Sequence, residues 1–302
     1  MSFTTRQDWP RWLEGLGAGG TWKQTPDDFV VVELPLVTPT GSGEHQWFRI
    51  EKVGRGTQEV VHALARAAGV TAKEVGYAGL KDRDALTVQD FTIHFGDDVT
   101  TLPPGMRILE RARTSKRLRV GQLAGNEFTV RVRGGDPAVA AERLARMRAI
   151  GMPNYYGVQC VGGDAPAQGR AILLGGGPRL HFDQLKFSLS AYQSLLFNRV
   201  LARRGRRALE GDLLEDGVPT GPMYGPTMRW PTGEALALEQ DVLAAEALPA
   251  DAWTRFGKLT QGTRRKVRVD VQADLERTAD GFRLRFQLPA GSYATVLLEE
   301  VL

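Results

Sequence analysis

The chain has 302 residues, 42% hydrophobic and 25% charged, an ordinary composition for a soluble globular protein with enough length for two domains. A single cysteine, Cys160, excludes an intrachain disulfide and a cysteine-based zinc site and fits a reducing compartment. The formal charge of +4, the pI near 9.3 and the excess of arginine over lysine favour a polyanionic partner.

At the start of the chain, "MSFTTRQDWPRWLEGLGAGG" holds acidic residues and no continuous apolar core, so it does not read as a signal peptide. No apolar run approaches the roughly 18 residues that span a membrane, and a cytoplasmic protein is expected. Gly15–Gly20 formally matches a dinucleotide fingerprint, but no strand precedes it and "TWKQTPDDF" does not open a helix; it reads as an entry segment. Alternation then predicts strands at Phe29–Glu33 and Trp47–Glu51. Thr57 is placed to cap a helix over Gln58–Ala68, closed by Gly69. Further strands are expected at Leu86–Phe95, Leu118–Leu123 and Glu127–Arg133, and Asp136-Pro137 opens a helix over Ala138–Ile150. From Pro153 to about Leu259 the pattern turns helical and turn-rich, with a helix at Leu189–Arg204. Strand alternation resumes at Val267–Gln272 and Phe282–Leu288. A β-rich module that stops and resumes suggests an inserted second domain.

The four histidines are scattered and no pair has metal-ligand spacing, nor is there a nucleophile elbow or phosphate loop. An enzyme built on this chain would work with its own side chains. The segment "RARTSKRLRVGQLAGNEFTVRVR" carries Arg111, Arg113, Lys116, Arg117, Arg119, Arg131 and Arg133, which reads either as a solvated strand face or as a phosphate-tracking surface. Within it, Asn126 and Phe128 place an amide beside a ring, the means by which an unstacked base is held, although Phe128 alone reads as core. In "GYAGLKDRDALTVQDF", four consecutive charges, Lys81-Asp82-Arg83-Asp84, separate two apolar segments. They read as a solvated turn or as a carboxylate held between cations at a cleft edge. Near the end, Gly291-Ser292 precedes Tyr293 and an apolar helix, which packs on the sheet or lines a pocket.

The runs "TWKQTPDDFVVVE", "GEHQWFRIEK", "GYAGLKDRDALTVQ", "LAGNEFTVRVR", "GMPNYYGVQ", "SAYQSLLFN" and "LPAGSYAT" resemble, in order and over nearly the whole chain, the TruD family of tRNA pseudouridine synthases. The resemblance implies an α+β fold. A mixed, mainly antiparallel sheet of pseudouridine synthase type would form the catalytic domain over 1–152 and 260–302, with a more helical TRUD domain inserted over 153–259. It implies a tRNA substrate whose uridine 13 becomes pseudouridine through a covalent Asp82 adduct. Neither metal nor cofactor is implied, and no membrane or protein partner. By residue-by-residue carry-over, Phe29, Asn126 and Tyr293 contact the base, Tyr293 standing where relatives carry phenylalanine. Lys23 and Phe128 fall at positions associated with the active site.

The chemistry agrees with these residue types. The N1–C1′ bond must break, the base must turn without escaping, and a C5–C1′ bond must form. A carboxylate, ordinarily ionised at neutral pH, can form the adduct at C1′ of the sugar or at C6 of the base. Neighbouring Lys81, Arg83 or Lys23 would keep it charged, and rings with an amide would hold the freed base. The target must leave its stack, a task suited to arginine-rich strands. One departure stands out: Gln159-Cys160-Val161-Gly162 replaces the family's Gln-Arg-Phe-Gly, so RNA contacts of the inserted domain are expected to differ. Two other readings are weighed beside this one. The first is an RNA-binding, tRNA-folding protein without catalysis. The second is a retaining glycoside hydrolase using Asp82 and Glu33.

Overall fold

The protein is described by a computed structural model over residues 9–302. Along the first half of the chain lie β1 (Thr21–Trp22), β2 (Phe29–Pro35), β3 (His45–Val53), α1 (Thr57–Ala67), β4 (Val75–Tyr77), β5 (Leu86–His94), β6 (Met106–Thr114), β7 (Leu123–Arg133) and α2 (Pro137–Ile150). There follow β8 (Met152–Pro153), α3 (Val158–Val161), α4 (Ala165–Leu173), α5 (Phe182–Arg204), β9 (Leu214–Glu215), β10 (Val218–Met223) and α6 (Gly233–Ala244). The chain ends with β11 (Thr263–Lys266), β12 (Arg268–Val269), β13 (Gln272–Thr278), β14 (Gly281–Pro289) and α7 (Ala294–Val301). Its described residues divide into two compact units: 9–15, Arg146–Asp270 and Ser292–Glu300 form one, and Leu16–Ala145, Val271–Gly291 and Val301–Leu302 the other.

The second of these carries a nine-stranded sheet in the order β13-β14-β7-β2-β5-β3-β6, with β1 added on β7 and β4 on β5. Every pairing is antiparallel except β2–β5. The fold is thus α+β with a mainly antiparallel sheet, as the family resemblance implied. Helix α1 covers part of one face because Val60, Val61, Leu64, Ala65 and Ala68 recur at helical spacing and meet Phe48, Ile50, Phe91 and Ile93. Each valine, leucine, isoleucine or phenylalanine among them, once buried, contributes about 1.5–3 kcal/mol of transfer free energy.

Two expectations change. The strand expected at Leu118–Leu123 does not form: β6 ends at Thr114, residues 115–122 are not a strand, and Leu123 opens β7. The two ends of the sheet, β6 and β13, carry Arg107, Glu110, Arg111 and Arg113 or Asp274, Glu276 and Arg277. Edge strands wear charge because it discourages pairing with another chain, and that charge conceals the alternation. Helix α1 is capped by Gly56, not Thr57: Glu59 Oε2 accepts the Gly56 N–H at 2.7 Å, and Thr57 is the first helical residue.

The other unit is built on α5, whose Leu189, Tyr192, Leu195, Leu196 and Val200 form a core with Leu173 of α4 and Val242 of α6. Strand β10 pairs with β9 and β11, and β8 with β12. Among the described residues no helix is long and apolar enough to cross a membrane.

Candidate active site

The segment 78–85 links β4 to β5 and contains the charged run singled out in the sequence. Its main chain is held by side chains of the neighbouring elements. Gln89 of β5 donates its amide to the Gly79 carbonyl, and Thr57 at the start of α1 accepts the Lys81 N–H at 2.9 Å. The Thr57 hydroxyl in turn donates to Gln89 Oε1 at 3.1 Å. Freed from capping, Thr57 thus joins the helix to the loop. Lys52 of β3 donates to the carbonyls of Arg55 and Asp82, at 2.7 and 2.8 Å.

The charges of the run are then sorted by what lies beneath them. Lys81 turns inward to meet Glu33 of β2, Nζ to Oε2 2.6 Å, both side chains almost wholly buried. Gly79 lets the loop lie close over the pair: a Cβ there would lie 2.6 Å from Lys81 Nζ and 3.0 Å from Glu33 Oε2, so the pair would have to shift. Asp82 turns outward, 53% exposed, with its Oδ2 3.6 Å from Lys23 Nζ. Glu33, shut in with Lys81, is not presented as the second carboxylate of a glycosidase.

Lys23 adopts a left-handed backbone, φ 62°, on a turn anchored by buried Asp28. Asp28 accepts the N–H groups of Gln24 and Thr25 and pairs with Arg133. Burial opposes the ionised Asp28, but the Arg133 bond and the backbone donors prevail and hold its carboxyl below the usual range. Lys23 Nζ lies 5.3 Å from the centroid of the Phe29 ring, within cation–π reach. Phe29 is packed between Trp22 and Phe128, centroids 5.5 and 5.9 Å away, and Phe128 stacks on Phe286 at 5.2 Å. Phe29 and Phe128, 3% and 6% exposed, are both core rings, and Phe128 supports Phe29 beneath Lys23.

Register explains why these residues meet. Val31 faces Phe128 and Glu33 faces Asn126 across β2–β7, while Leu288 of β14 flanks Asn126 on its other side. Paired positions share a face of the sheet, so Phe29, Glu33, Asn126 and Phe128 project together. Asn126 Oδ1 is buried and has no hydrogen-bond partner among the described residues. The fold brings Asp82, Lys23, Phe29, Asn126 and Phe128 together.

Tyr293 belongs to the other compact unit. There its hydroxyl is 2.8 Å from Cys160 Sγ and its ring 5.8 Å from that of Tyr156. Burial raises both the Tyr293 and Cys160 pKa values. The tyrosine that replaces phenylalanine and the cysteine of the altered run are thus in contact.

Two sets of groups were not legible as site residues. Lys52 shares the inward phase of β3 with Phe48 and Ile50, and a lysine on an apolar phase is itself a signal. It is 1% exposed, and burial pulls its pKa down from 10.5 to about 8. Since the folded pKa lies below the unfolded one, keeping Lys52 charged costs the fold about 3 kcal/mol below pH 8, a cost relieved between pH 8 and 10.5. Asp90 of β5 is equally buried, with Oδ1 3.2 Å from Arg49 Nε, and burial raises its pKa to about 7.

The arginine-rich strands sort differently from the phosphate-tracking reading. Arg131 pairs with Asp280, Arg133 with Asp28, Arg283 with Glu276 and Arg285 with Glu127. Arg117 donates to the carbonyls of Lys73 and Val75. Exposed Lys116 and Arg119 have no ion pair among the described residues. Nor do the described residues contain a group of three or more His, Cys, Asp or Glu side chains able to hold a metal ion.

Comparison with known proteins gives a consistent picture. The model of the family described as "tRNA pseudouridine synthase D (TruD)" matches residues 12–175 and 214–301. A tRNA pseudouridine synthase D of Anaeromyxobacter dehalogenans is 40% identical, with 94% of this chain and 93% of the relative aligned. One from Thermus thermophilus is 36% identical, with 95% and 89% aligned. Among solved structures, a protein described as a tRNA pseudouridine synthase D from Methanosarcina mazei superposes with a TM-score of 0.73 at 20% identity, covering 97% of this chain and 95% of that one.

Proposed function

Because the chain belongs to the tRNA pseudouridine synthase D (TruD) family, we propose that it is an isomerase converting uridine 13 of tRNA to pseudouridine, with Asp82 as the nucleophile. The observation that carries the reading is the placing of Asp82. Its carboxylate is open to a ligand, faces Lys23, and is fixed by a loop whose neighbouring charge is buried. A nucleophile needs this combination of access and rigidity.

In the scheme, the target nucleotide is drawn out of its stack and laid against the wall formed by Phe29 and Asn126. The Asp82 carboxylate attacks C1′ or C6, forming one C–O bond. The N1–C1′ bond breaks, the uracil turns while held, and C5 bonds to C1′. The proton on C5 leaves, N1 takes up a proton, and the carboxylate is released, so that product and substrate are isomers. Lys23 offsets charge as it moves from the carboxylate to the base. The unpartnered Asn126 Oδ1 is an acceptor for the uracil N3–H, and filling it recovers the roughly 1–3 kcal/mol that an unmet buried polar atom costs. Tyr293, supported by Cys160 and Tyr156, is assigned the second ring contact to the base. All of the chemistry is carried by side chains. The catalytic module in this proposal spans 1–152 and 260–302, with 153–259 as the inserted TRUD domain. Exposed Lys116 and Arg119 are the cations assigned to phosphate contacts.

Tritium release from tRNA labelled at uridine C5 tests the assignment. Asp82→Asn should reduce turnover by at least about 1,000-fold while tRNA affinity stays within about 2-fold. Release at the parent rate, or equal loss of binding and turnover, refutes it. An RNA-binding protein without catalysis would bind tRNA and release no tritium at all.

A further inference from the structure

Lys52 touches no site that a substrate could reach, yet it is a buried cation aimed at the segment that carries the nucleophile. Its ammonium donates to Arg55 O at 2.7 Å and Asp82 O at 2.8 Å, and Lys81 O lies 3.5 Å away. One side chain therefore joins β3, the turn leading into α1, and the main chain of Asp82 itself. We propose that Lys52 is a positioning residue for the isomerisation: by clamping the Asp82 carbonyl it fixes where the Asp82 carboxylate meets its target carbon.

The inference rests on the reading of Asp82 as nucleophile, and it rests on geometry that a structural role alone does not explain. Two carbonyls could be satisfied by a neutral amide or by water at the loop surface. An ammonium in an apolar strand phase is a costly substitute, since burial disfavours its charged form. What it adds is three donors on one centre, able to fix several carbonyls of different segments at once. A misplacement of about 1 Å at a nucleophile can cost on the order of 100-fold in rate, so a clamp of this kind has a catalytic consequence without contact to the substrate. The charged groups around the ammonium are Asp82 and Lys81 from the loop, Glu59 from α1 and Arg55 from the turn before it. Asp82 and Glu59 favour its protonated form, while burial and Lys81 oppose it, so the clamp loosens as pH rises through about 8.

The experiment compares Lys52→Met and Lys52→Gln with the parent in the full chain. Four quantities are read: single-turnover tritium release, tRNA binding, thermal midpoint, and amide hydrogen exchange over 79–85. Lys52→Met is expected to lower the single-turnover rate by about 10- to 100-fold. Its tRNA Kd should stay within about 2-fold and its midpoint should not fall, while exchange over 79–85 rises. Lys52→Gln, which keeps a donor, should recover part of the rate. The parent should lose rate above about pH 8, and the residual rate of Lys52→Met should lack that alkaline limb. An unchanged rate in Lys52→Met, or unchanged exchange over 79–85, overturns the proposal. So does a midpoint drop that accounts for the loss while Lys52→Gln retains the full rate. Failure of the underlying reading is separable, because an active Asp82→Asn would refute the nucleophile whatever Lys52 does. The exchange measurement tests the clamp even without turnover.

Discussion

The β7–β14 strand face and the 78–85 loop are both dense in charge, and they spend it in opposite ways. On the strands, Arg131, Arg133, Arg283 and Arg285 each find a carboxylate, so the face neutralises itself. In the loop, Lys81 is withdrawn into a buried pair and adjacent Asp82 is left 53% exposed. Cross-strand register gives Arg283 and Arg285 a carboxylate on the adjacent strand, and Asp280 and Asp28, just outside the strands, meet Arg131 and Arg133, whereas in the loop each charge goes where its support allows. The comparison teaches that a charge available for chemistry is one that the fold has left over while consuming its neighbours.

The sharpest way to break this contrast is to remove the buried half. Glu33→Gln leaves Lys81 unpaired under the loop and should lower stability by about 3–5 kcal/mol, read as a fall in the denaturant midpoint. An unchanged midpoint would mean that the pair is not what seats the loop. An effect of similar size, spread over pH, is expected at Asp90, where burial raises the pKa above its unfolded value. Stability from its neutral form is fully present below about pH 4 and is lost as pH rises to about 7. The thermal midpoint of Asp90→Asn should therefore gain on the parent between pH 4 and 7 and keep a constant lead above. A lead that shrinks with rising pH would contradict the sign. Smaller is the surface test. Arg119→Glu should weaken tRNA binding by about 3- to 10-fold and flatten its salt dependence by about one charge. Arg283→Ala, which removes one member of an exposed strand pair, should alter binding by less than about 2-fold and stability by less than about 0.5 kcal/mol. Equal effects at the two arginines would erase the distinction between spent and available charge.

Much of this was readable in the chain, and the exceptions have physical causes. Interior strands β2, β3 and β7 showed through alternation because one of their faces is the more deeply buried, while β5, buried on both faces, alternates in residue type alone. The edge strands β6 and β13 did not, since exposure lets them carry charge on both phases. Thr57 read as a cap because its type and place suit one, but its hydroxyl is used by Lys81 and Gln89, partners far off in sequence. Arg131 and Arg133 read equally as phosphate holders or as a wet strand face, and their carboxylate partners come from Asp280 and Asp28.

By itself the sequence determined a mixture of helices and strands, most of the interior strands, and the run that contains Asp82, because side-chain periodicity and local residue type are properties of neighbouring positions. Only the tertiary structure decided that Lys81 is buried while Asp82 is open, and that Lys52 reaches beneath the loop. It also decided that Asn126 keeps an unmet acceptor. Those outcomes depend on which strands lie side by side and in what register, and a buried charge is settled by partners that no local pattern contains.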